Sequence, residues 1–119
     1  MLLGIHISDT EATAVRERVV GTEAFACLRE NVASVLAGAN PFDRVKPGMV
    51  NSDAIDPYSL GHLCAALSAY HALEPTPAVE AALRDFLRWI PAQESLMWGQ
   101  NISLGQFLKG AVLALDAVG

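Results

Sequence analysis

Charge is scarce in this chain, and basic charge scarcest: Asp, Glu, Lys and Arg make up 18% of 119 residues, thirteen acidic against eight basic, with no two basic residues adjacent. A chain with no cationic patch has little to neutralise a phosphate backbone, which speaks against a nucleic-acid partner. The net charge of -5 suits a partner of basic character instead.

Cysteine is nearly absent. Cys27 and Cys64 form no CxxC pair and are too few for a disulfide framework, so they read as free thiols in a reducing compartment. Long hydrophobic runs are missing too. The best, Leu104 to Val118, is interrupted by Gln106, Lys109 and Asp116, short of the roughly 20 apolar residues that a membrane span requires. Met1 to Ile7 carries no Lys or Arg and is too short for a signal-peptide core. The expected compartment is the cytoplasm, with no membrane association.

The motifs that announce a reaction are also lacking. There is no GxSxG elbow, HExxH pair, GxxxxGK[ST] loop, GxGxxG turn or EF-hand loop, and three His with two Cys leave few ways to assemble a triad or a metal cage. No catalytic residue, metal or cofactor is expected, and the chain does not read as an enzyme.

What is present is apolar: hydrophobic residues reach 52%. A chain of this length folds as one domain around one core, here residues 1–119, and any surplus apolar surface is left for a partner. The periodicity is helical throughout. Ser8-Asp9-Thr10-Glu11 has the form of a capping box, with Ala12, Val15 and Val19 on one face behind it. Phe25 falls six positions after Val19, rotating the stripe by about 120°, so the helix must break near Gly21-Thr22. A second helix then carries Phe25, Leu28, Val32, Val35 and Leu36, with Gly38 placed for a left-handed cap.

Residues 40–55 hold Asn40-Pro41, Lys46-Pro47-Gly48 and Asn51-Ser52-Asp53, which favour turns, while Phe42, Val45, Met49, Val50 and Ile55 can pin the segment to the core. Asp56-Pro57 opens a third helix with Leu60, Leu63, Cys64, Leu67, His71 and Leu73 on its buried side, and Thr76-Pro77 repeats the device for a fourth carrying Val79, Leu83, Phe86, Leu87 and Ile90. Pro91 ends that pattern. The link between these two helices is short enough to make them a hairpin. Ser103-Leu104-Gly105-Gln106 is a second capping box, echoing the Ser59-Leu60-Gly61 that opens the third helix. The helix behind it is apolar nearly all round. The expectation is an all-α, compact bundle of about five helices with a central hydrophobic C-terminal helix as its hub.

Candidate functional positions follow from this layout. Trp89, turned about 100° from Ile90 and about 160° from Leu87, sits off the buried stripe, and Met97 and Trp98 lie beyond the Pro91 break. Trp and Met are enriched in protein contacts, so these three, with Asp43 and Asp53 of the 40–55 loop, form the expected partner-binding set. His71 and Tyr70 are the candidate polar contacts of an apolar ligand held between helices. A His71–Cys64 dyad is disfavoured, because seven helical residues separate the two by about 10 Å. His62 with Asp53 and Asp56 matches no ligand pattern for a metal.

The functional expectation is a small helical module that occupies another protein's surface, as inhibitors, immunity proteins, anti-defence proteins and adaptors do. The alternatives are a homodimeric or larger structural subunit, and a bundle that binds an apolar small molecule.

Overall fold

The computed structural model describes residues 8–38, 57–90 and 101–119, the last two segments with side chains from 60 and 105 onward. These hold five helices and no strand: α1 (Asp9–Val19), α2 (Glu23–Ala37), α3 (Pro57–Leu73), α4 (Pro77–Trp89) and α5 (Asn101–Val118). Residues 40–55 and 91–100 lie outside the described residues.

The helix starts are built from local chemistry. Ser8 Oγ accepts from the Glu11 amide at 3.2 Å while the Ser8 amide donates to Glu11 Oε2 at 2.9 Å, a closed capping box. The backbone hydrogen bond from Ser8 holds the Glu11 carboxyl below the usual carboxylate range. Thr22 Oγ1 accepts from the Phe25 amide and Thr76 Oγ1 from the Val79 amide, with Pro77 at the first turn of α4. α1 and α2 separate at Val20–Thr22, as the rotation of the stripe requires.

Two details depart from expectation. Gly38 is extended, at φ -80° and ψ -179°, and not left-handed; its amide donates to Val35 O, so the last turn tightens and the chain leaves without an αL residue. α5 begins at Asn101, before its capping box.

α3 shares the centre of the bundle with α5. It packs against α1, α4 and α5, with its most extensive contact to α5. Leu60, Cys64, Leu67, Ser68 and Tyr70 are all buried, on more than one side of the helix. Its seventeen residues contain no Asp, Glu, Lys or Arg, so every face can enter the core without leaving a charge unsolvated. The buried Ser68 hydroxyl is satisfied by the Cys64 carbonyl at 2.7 Å.

The C-terminal helix keeps part of its circumference outside the core. Phe107, Gly110, Ala114, Asp116 and Val118 are buried, but Leu108, Val112 and Leu115 stay 47%, 47% and 44% exposed. It is apolar nearly all round in sequence, yet Leu108, Val112 and Leu115 stay outside the core, while the fully buried Asp116 adjoins Val112, about 40° away on the wheel.

α3 and α5 approach backbone to backbone. A Cβ on Gly61 would stand 2.1 Å from the Gln106 carbonyl oxygen, and one on Gly110 would stand 2.5 Å from the Gly61 carbonyl oxygen. Each glycine therefore makes room for the other helix. α4 joins the pair through aromatic contacts: Phe86 meets Phe107 edge-on at 5.4 Å between centroids, and Trp89 lies against both, at 6.5 Å from Phe86 and 6.1 Å from Phe107. α1 is peripheral, with Ala12 buried and Val15 exposed. It is tied to the end of α3 by Arg16 Nε, which donates to the Leu73 carbonyl.

Candidate functional site

The outer face of α5 is where apolar side chains remain unspent. Leu108, Val112 and Leu115 are spaced four and three apart, which sets them within about 60° of one another on an ideal helix. That is the spacing with which one helix presents a seam to another. Gly105 and the exposed Lys109 border it. The stripe was hidden from sequence reasoning because all of α5 reads as apolar, and only its packing reveals which side faces outward.

The aromatic positions chosen from the sequence fare differently. Trp89 is off the main stripe, as its wheel position implies, and is half-buried against Phe86 and Phe107. The reason is that α5 supplies a second packing layer on that side of α4. Met97, Trp98, Asp43 and Asp53 lie outside the described residues.

A second feature is an open groove of about 270 Å³ between α2 and α4, lined by Arg29, Val32, Leu36, Tyr70, Thr76 and Val79. Its polar end is already engaged. Arg29 grips Glu74 with two hydrogen bonds, Nε to Oε2 at 2.9 Å and Nη2 to Oε1 at 3.1 Å, and the Tyr70 hydroxyl donates to the same carboxylate. The guanidinium also lies 5.0 Å from the centroid of Phe25, whose ring stacks on Tyr70 at 6.0 Å. The Arg29 hydrogen bond, and then that of Tyr70, hold the Glu74 carboxyl below its ordinary range; burial, followed by the Glu74 hydrogen bond, raises the Tyr70 phenol. This cluster latches α2 onto the end of α3. It leaves Tyr70 with an occupied hydroxyl.

His71 does not join Tyr70 in the groove. As the next residue on α3 it points about 100° away. Among the described residues, Glu80 favours its imidazolium and Arg84 opposes it. Its Nδ1 is buried without a hydrogen-bond partner among the described residues, and burial is the main cause of its lowered pKa. The pair expected to hold an apolar ligand is thus split between two sides of α3.

This placement sets a pH dependence. An unfolded His titrates near about 6.5, and His71 in the fold titrates lower, so between those two values the unfolded chain holds more protons. Stability is therefore full above about pH 6.5 and falls as pH drops toward the folded value. The Glu74 carboxyl, also lowered, adds a second loss as pH falls below about 4.3. Urea midpoints recorded across this range should decline in these two stages. In His71→Gln the upper stage should vanish and the lower should remain; an unchanged upper stage would assign it elsewhere.

The two cysteines sit in opposite environments. Cys64 is fully buried and burial pushes its thiol well above the usual range, whereas Cys27 is exposed, with the Asn31 amide 3.8 Å from its sulfur. Ellman's reagent is expected to modify Cys27 promptly in the folded chain and Cys64 only in denaturant. Rapid modification of both thiols without denaturant would show that the α3–α5 contact opens readily. His62 is exposed, and among the described residues no three His, Cys, Asp or Glu side chains group to hold a metal ion. Among them, too, no helix is long and apolar enough to cross a membrane.

Comparison with protein-family models, with curated proteins and with solved structures finds no match to this chain.

Proposed function

We propose that this chain is a helical protein-binding module that acts by non-covalent association, with the outer face of α5 as its contact surface. The observation that carries the reading is the row of Leu108, Val112 and Leu115, each more than two-fifths exposed on a helix whose opposite side is locked into the core. Exposed apolar side chains in a continuous row are a common mark of an interaction site. Their spacing favours a helix as the complementary element. An inhibitor, an immunity protein or an adaptor needs no more than such a rigid face, and no reacting group is invoked.

The basic character expected of the partner rests on the net charge of -5, while Lys109 beside the stripe favours an acidic residue at that point of the interface. A photo-reactive amino acid at Val112 tests the reading, with one at the exposed Ala81 of α4 as the control. Crosslinking in cells of the source organism should join one protein species to the chain from position 112 and none from position 81. Equal labelling from both positions, or none from 112, would remove α5 as the contact surface. The triple variant Leu108→Gln, Val112→Gln, Leu115→Gln should keep the helical circular dichroism spectrum and lose the crosslinked species.

A further inference from the structure

We draw no further inference here: the strongest candidate, the exposed Leu108, Val112 and Leu115 stripe on the outer face of α5, belongs to the site already described, and nothing in the structure shows whether a second copy of this chain or a different protein covers it.

Discussion

Gly61→Ala is expected to destabilise the bundle by about 3 kcal/mol or more, whereas Gly105→Ala should leave it unchanged or raise its stability by about 0.5–1 kcal/mol. Both glycines occupy the third place of a Ser-Leu-Gly sequence near the start of a helix, so local propensity is nearly the same for each. What differs is the space around them. A methyl group on Gly61 would meet the Gln106 carbonyl oxygen at 2.1 Å and the Phe107 nitrogen at 2.7 Å, while nothing lies within 4 Å of one on Gly105. The obstructing atoms are backbone, so no rotamer change can relieve the overlap and α5 must move away from α3. That movement would loosen the largest helix contact in the fold. Since a domain of this kind is stable by about 5–15 kcal/mol in total, the change consumes a large share of the margin. Gly110→Ala should behave like Gly61→Ala, because its added carbon would meet the Gly61 carbonyl oxygen at 2.5 Å. Urea denaturation followed by circular dichroism measures all three variants. Equal midpoints for Gly61→Ala and Gly105→Ala would show that the two helices do not cross at this point.

Phe107→Ala should cost about 3–5 kcal/mol, and Leu108→Ala, one residue further on, about 0.5 kcal/mol. Phe107 has no exposed surface and its ring meets those of Phe86 and Trp89, so truncation leaves a cavity where α3, α4 and α5 converge. Leu108 is 47% exposed and its removal opens no cavity. The contrast tests the rotational setting of α5 directly. Comparable losses at the two positions would mean that the apolar stripe is packed within the chain, and the proposed contact surface would then have no basis. Thermal melts of both variants, recorded beside the parent chain, decide between the outcomes.

Much of the fold is legible residue by residue. The Ser8–Glu11 capping box, the Thr-Pro start of α4 and the break between α1 and α2 depend on groups within a few positions of each other, so composition and spacing specify them. The buried row of α4, Val79, Leu83 and Phe86, is equally plain because charged residues fill its other side. The hub is harder to read. α3 and α5 are both apolar around their circumference, and periodicity gives no direction to a helix that has no polar side. α3 carries no carboxylate, ammonium or guanidinium group, whereas α5 carries Lys109, which is exposed, and Asp116, which is not. The fully buried Asp116 shows that a charge-bearing residue alone does not predict exposure.

The candidate site was legible in part. An apolar surplus available to a partner follows from composition, but its location does not. Trp89 qualified by wheel position and is covered by Phe107 of a helix distant in sequence. Leu108, Val112 and Leu115 stay exposed while the smaller Gly110 and Ala114 between them are buried, an arrangement that hydrophobicity along the sequence does not give.

The sequence by itself determined that the chain is helical, where most of its helices begin, and that its apolar content exceeds its charge. These are consequences of backbone hydrogen bonding and side-chain polarity over short separations. The tertiary structure alone decided which helix is enclosed, which glycine admits a neighbouring backbone and which leucines remain in water, because each depends on the approach of segments far apart along the chain, and one added carbon atom at the α3–α5 crossing is enough to forbid it.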